Sequence, residues 1–163
     1  MIKIASIASF IAGILLLVSG AITYGMVASQ LSEEKIVVPA DSSLLPGAQV
    51  RGPFSAYAQA EIIKEHALKG SGGKTYAELG KLANEAKEAG DTAKAEEYTK
   101  QRTTVMNGSF LRASLFTSVL AFGVSALVMG LGVLFVIFGL AFWALATRYQ
   151  KVVTTPTVTS ATA

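Results

Sequence analysis

A chain of 163 residues, 52% of them hydrophobic, with a positive mean hydropathy has room for two membrane spans and at most one small domain outside them. The absence of cysteine excludes disulfides, thiolate metal sites, cysteine nucleophiles and a lipoprotein anchor. Eleven basic and eleven acidic residues lie between positions 30 and 112, so the net charge of +3 comes from Lys3, Arg148 and Lys151 in the two short ends, which belong on the cytoplasmic side by the positive-inside tendency.

Ile4 to Ser29 carries no charge. Val27-Ala28-Ser29 resembles a cleavage site, but the apolar run exceeds the roughly 7–15 residues of a signal-peptide core. Residues 1–29 therefore read as an uncleaved anchor, the first transmembrane helix. From Gln30 the chain meets Pro39, Pro46 and Pro53, with Gly47 and Gly52 between them. Proline removes a backbone donor and fixes φ, so residues 30–52 read as extended, with at most one short strand at Lys35–Val38.

The period then becomes helical. Phe54, Ala58 and Ile62, flanked by Tyr57, Ile63 and Ala67, share one face of a helix ending near Lys69, and Glu65 with Lys69 forms a supporting i,i+4 pair. Gly70-Ser71-Gly72-Gly73 stops it. Thr75 and Glu78 make a capping box that starts a second helix, with Tyr76, Leu79, Leu82, Ala83 and Ala86 inward. Gly90-Asp91 closes that helix and caps a third, rich in lysine and glutamate, which carries Ala95, Tyr98 and Val105. Asn107-Gly108 predicts an interruption before the second span. Residues 53–106 are thus short helices with few large apolar side chains, marginal alone and expected to lean on an apolar helix end or a partner.

Leu115 to Ala146 is a run of 32 uncharged residues between Arg112 and Arg148, and it defines a long second transmembrane helix over residues 113–147. At 1.5 Å per residue the run is about 48 Å long, against roughly 30 Å of hydrocarbon. Its N-terminal end, with Ser114, Thr117 and Ser118, projects beyond the lipid and needs cover from the chain's own loop or from a neighbouring subunit. Ser118, Ser125, Gly132, Gly139 and Ala146 recur every seven residues on one seam, with Gly123 and Gly130 repeating the spacing nearby. Small residues let backbones approach, and close packing is the main force joining helices in lipid. The first span offers Ala5, Ser9, Ala12 and Ser19 as a matching face. Trp143 and Tyr149 at one level and Tyr24 at the other fit interfacial aromatic belts. Residues 148–163, threonine-rich and without apolar periodicity, read as a disordered cytoplasmic tail.

The motifs that would carry chemistry do not assemble. Gly70-Ser71-Gly72-Gly73-Lys74-Thr75 has the look of a phosphate-binding loop, but the position of its first glycine is Leu68 and a helix precedes it; a helix stop followed by a capping box accounts for the residues. His66 is the single histidine, and its helical neighbours Ile62, Ile63, Lys69 and Gly70 are not ligands, whereas a bare non-haem iron site wants two histidines and a carboxylate. Tyr76 to Gln101 faintly resembles one tetratricopeptide unit, with Gly80 to Gly90 spaced too widely, and one repeat does not stand alone. Neither span holds an ionisable group except Tyr24 near one end, unlike proton relays, ion pathways and transporter sites. The charge-balanced loop lacks the basic patch of a nucleic-acid binder. No catalytic residue, metal ligand or cofactor-binding residue is assigned.

Gly52-Pro53-Phe54, Ala56-Tyr57-Ala58-Gln59-Ala60-Glu61-Ile62-Ile63, Gly72-Gly73-Lys74-Thr75-Tyr76-Ala77-Glu78-Leu79 and the stretch from Arg102 through Phe135 together resemble a family of small two-span actinobacterial membrane proteins of unestablished function. Lys81 to Gln101 looks like an extension that shorter members lack. Many members carry an automatic label as aromatic ring-opening dioxygenases; that label implies an iron site for which this sequence has no ligand set, and the family pattern names no functional residue.

The expectation is an all-α membrane protein: two transmembrane helices forming a hairpin, joined by a mostly helical extracytoplasmic loop, with both termini cytoplasmic at the plasma membrane. Its function is that of a non-enzymatic accessory subunit of a larger membrane complex, with other integral membrane subunits and membrane lipids as partners. The resemblance implies the respiratory cytochrome bc-aa3 supercomplex as host. The expected contact residues are Ser118, Ser125, Gly132 and Gly139 on the seam, with Phe54, Tyr57 and Ile62 on the outer helix. The alternative is a free-standing membrane-tethered binding module.

Overall fold

The computed structural model describes residues 1–154, with side chains through Arg148. Among them the chain is helical, in the order α1 (Ile2–Glu33), α2 (Pro53–Gly70), α3 (Tyr76–Glu88) and α4 (Thr92–Thr154), without a strand. α1 and α4 are long and apolar enough to cross a membrane. The residues fall into two compact units: one joins Met1–Tyr24 to the segment from Val124 onward, and the other is Gly25–Gly123.

In the first unit α1 and α4 run antiparallel. Ser6 lies on Gly139, Gly13 on Gly132, and Gly20 on Ser125, a step of seven counted upward on one helix and downward on the other. A seven-residue repeat is the period of a left-handed helix pair. The expected face of α1 needs correction. Ser9 and Ala12 are half-buried, but Ala5 and Ser19 are exposed, and the fully buried line is Ser6, Gly13 and Gly20.

The second unit has its own core of Val38, Val50, Ala56, Ala58, Ala60, Leu31 and Leu115, with Val27, Phe116 and Val119 packed against it. Alanine dominates α2's share of it, so the helix can lie close to its neighbours on more than one side. At the end of α4 that is expected to project beyond the lipid, this core takes up Leu115, Phe116 and Val119, while Ser114 and Thr117 stay exposed.

Local sequence sets each boundary. α2 starts at Pro53, whose fixed φ suits the first helical position, and the Ser55 hydroxyl accepts from the Arg51 and Gly52 N–H groups at 3.1 and 3.2 Å. It ends where Gly73 N–H reaches back to Leu68 O at 2.7 Å, with Gly72 and Gly73 at positive φ. α3 opens with the expected capping box: Thr75 N–H donates to Glu78 Oε2 at 2.8 Å while Glu78 N–H donates to Thr75 Oγ1 at 3.4 Å. The Asp91 carboxylate caps α4 through Lys94 N–H at 3.0 Å.

Three boundary expectations are corrected. The helix expected to break at Asn107-Gly108 runs through them as part of α4. Gly108 does a different job: a β-carbon there would stand 3.2 Å from Ala67 Cβ and 3.6 Å from Ile63 Cγ2, so the missing side chain brings α2 close to α4. The extended segment starts later than Gln30, because α1 continues to Glu33. In it Val37 pairs with Gln49 as an isolated antiparallel bridge, supported by Val38 N–H to Ala48 O and Val50 N–H to Ile36 O, both 2.9 Å. The residues expected to be disordered from 148 are helical to Thr154, because no glycine or proline intervenes before Pro156; the rest of that tail lies outside the described residues.

Candidate functional site

The seam on α4 is the most closely packed line of the first unit. A β-carbon on Gly132 would meet Gly13 O at 2.8 Å and Leu17 at 2.9 Å; one on Gly13 would meet Gly132 O at 2.7 Å; one on Gly139 would meet Phe10 at 3.0 Å. A β-carbon essentially never sits as close to backbone as it would at Gly13 and Gly132, and at Gly139 the fit would be tight, so these glycines set the helix separation. The Ser6 hydroxyl adds a buried hydrogen bond to Gly139 O at 2.7 Å. Ser125 is buried with Gly20 against its backbone, whereas Ser118 is half-buried and donates to Ser114 O on its own helix. Gly132 and Gly139 are therefore occupied by α1. Gly123 and Gly130, which repeat the spacing, are exposed and have open space beside them. The residues missed on α1, Ser6, Gly13 and Gly20, carried a readable signal in their own seven-residue spacing.

On α2 the three expected contact residues separate. Ile62 is 2% exposed; it belongs to the interior and has no surface to offer, which corrects its assignment. Phe54 is 80% exposed and Tyr57 43%, so the face traced by Ala58 and Ile62 does not extend to the first turn. Tyr57 sets its edge against Phe116 at 6.1 Å between ring centroids. Arg112 joins this arrangement, its guanidinium 5.5 Å from the Phe116 ring centroid. Its Nε–H donates to Ala60 O at 3.1 Å and its Nη2 reaches Glu61 at 3.4 Å. Arg112 was expected only to mark the edge of a span; it ties α2 to α4. Arg102 performs a similar office for α3, with its guanidinium 4.0 Å from the Tyr76 ring centroid and Gly80 leaving it room.

His66 has a partner that helical spacing did not reveal. Asp41, from the segment between α1 and α2, places Oδ2 2.8 Å from His66 Nε2, and that hydrogen bond holds the Asp41 carboxyl below its ordinary value. One histidine and one carboxylate, both well exposed, do not form a metal centre, and no group of three or more metal-ligating side chains gathers among the described residues. Gly70–Thr75 is a helix exit: the Ser71 hydroxyl lies 3.1 Å from Leu68 O and 2.7 Å from Lys74 O, and the N–H groups of Ser71, Gly72, Gly73 and Lys74 donate to carbonyls of residues 67–71, which leaves them committed rather than cradling an anion.

The class these features define is an all-helical chain with two helices long and apolar enough to span a membrane, one small-residue seam between them, and an exposed aromatic pair on α2. No protein-family model, curated protein or solved structure matches the chain.

Proposed function

We propose that this chain is a non-enzymatic accessory subunit of a larger plasma-membrane complex. α1 and α4 cross the membrane as a hairpin with both ends cytoplasmic, and the central segment, on the extracytoplasmic side, contacts the partner. The observation that carries the reading is the pair Phe54 and Tyr57, exposed at i and i+3 on the first turn of α2 while Ser55 and Ala56 between them are buried. Aromatic side chains clustered on a surface are the usual anchors of protein interfaces. The basic residues at the two chain ends support the orientation. The respiratory cytochrome bc-aa3 supercomplex as host rests on the family resemblance and on no individual residue.

The test is recovery from native membranes in a mild detergent through a C-terminal tag. The expected result is stoichiometric co-elution of a larger membrane complex, lost when Phe54 and Tyr57 are both changed to alanine while the variant still reaches the membrane. Elution of the wild-type chain alone counts against the accessory role and favours a tethered module.

A further inference from the structure

We infer that the groove between the paired ends of α1 and α4 binds an anionic phospholipid, one acyl chain lying in the groove and the phosphate meeting Lys3. The inference rests on the membrane placement proposed above. The groove has a volume of about 320 Å³ and is walled by Ile7, Phe10 and Ile11 on one side and Leu140 and Trp143 on the other. Gly139, packed against Phe10, adds backbone to the floor. The one hydroxyl in its lining, on Ser6, is already donated to Gly139 O, so the floor asks for an apolar occupant.

Charge selects the kind of lipid. Neither Met1–Tyr24 nor the segment from Val124 onward contains an aspartate or glutamate, whereas both contain basic residues. Lys3 precedes Ser6 and Ile7 by three and four residues, which places it one turn beyond the groove on the same stripe of α1. The register that sets Ser6 on Gly139 brings Lys3 level with Phe142, beside Trp143. Arg148, exposed at the same end of α4, stands nine residues past Gly139 and so about half a turn round the helix from the groove, which makes it the control for charge at that end outside the site. Basic pockets between membrane helices on the cytoplasmic side are suited to phosphate headgroups, and the Trp143 indole, apolar in body with one N–H donor, suits the boundary between acyl chain and headgroup.

Trp143 is the single tryptophan, so its fluorescence reads the groove directly. The full chain would be reconstituted into vesicles of phosphatidylcholine and phosphatidylglycerol, with brominated acyl chains on one lipid or the other. Brominated phosphatidylglycerol should quench with a relative affinity roughly five- to tenfold above brominated phosphatidylcholine. The preference should approach unity with Lys3→Gln and be largely kept with Arg148→Gln. It should persist in part at 1 M salt, where the screening length is about 3 Å and only contact pairs survive. Equal quenching by the two lipids overturns the proposal, as does a preference that disappears in high salt or survives loss of Lys3. Quenching by neither lipid means protein or water covers Trp143 and also overturns it. Flotation of the protein with the vesicles reads the membrane placement separately.

Discussion

Gly13 and Gly132 meet backbone to backbone, and a methyl group on either has nowhere to go because the obstacle is a carbonyl or amide of the other helix. Gly13→Ala and Gly132→Ala should each lower the thermal unfolding midpoint in detergent by several degrees and weaken the α1–α4 pair. Gly123→Ala and Gly130→Ala face open space and should leave the midpoint unchanged or raise it, since alanine is favoured over glycine in a helix by up to about 1 kcal/mol. Equal effects at all four positions would remove the seam from consideration. Loss of the Ser6 hydroxyl costs less, about 0.6 kcal/mol for an average interhelical hydrogen bond in a membrane. At the Asp41–His66 pair the sign follows from the lowered Asp41 carboxyl. Its contribution to stability is complete above the ordinary carboxylate value and is lost as pH falls through the lowered one. Asp41→Asn should therefore flatten the fall in stability below about pH 4, measured by denaturant unfolding at several pH values; an unchanged acid limb would mean the pair does not contribute.

At the scale of elements, α3 depends on its cap. Thr75 and Glu78 each satisfy the other's backbone N–H, and the Thr75 N–H and hydroxyl, both donating to Glu78 Oε2, hold the Glu78 carboxyl below its ordinary value. Thr75→Ala should cost about 1 kcal/mol and raise amide exchange in Tyr76–Glu88 ahead of the rest of the chain. Exchange that stays uniform would show that packing of Leu79 and Ala83, rather than the cap, sets the stability of α3. α4 depends on continuity. Its passage through Asn107-Gly108 places Gly108 beneath Ala67 and Ile63, so Gly108→Leu should push α2 away from α4 and expose the Tyr57–Phe116 contact, read as increased exchange in Pro53–Gly70. A glycine within a helix and a glycine at a helix end are the same letter; the neighbour across the packing interface decides which it is.

At the scale of the whole molecule, the central segment does not hold its core alone. Leu31 from α1 and Leu115 from α4 complete the cluster around Val38, Val50, Ala56, Ala58 and Ala60. A fragment from Gln30 to Arg112 lacks Leu115, Phe116 and Val119, and should give a weak, non-cooperative unfolding transition. The fragment Gly25–Gly123 keeps them and should unfold cooperatively. Cooperative unfolding of the shorter piece would revive the free-standing binding module.

Much of the architecture was legible in the sequence because it depends on near neighbours. Uninterrupted apolar runs announce the two long helices, Thr75 with Glu78 announces a cap four residues wide, and Gly70–Gly73 announces a stop. The seven-residue line on α4 was also legible, since small residues at a constant spacing make a face whatever lies opposite. Tertiary structure decided what lies opposite. It set Gly13, rather than Ala12, against Gly132, turned Gly108 from a break into a contact, sent Ile62 inward while leaving Phe54 outside, and joined His66 to Asp41 across 25 residues of chain. Each of these outcomes depends on which residues remote in sequence come together, and local periodicity, which can mark a face such as Ser6, Gly13 and Gly20, does not say what lies opposite it.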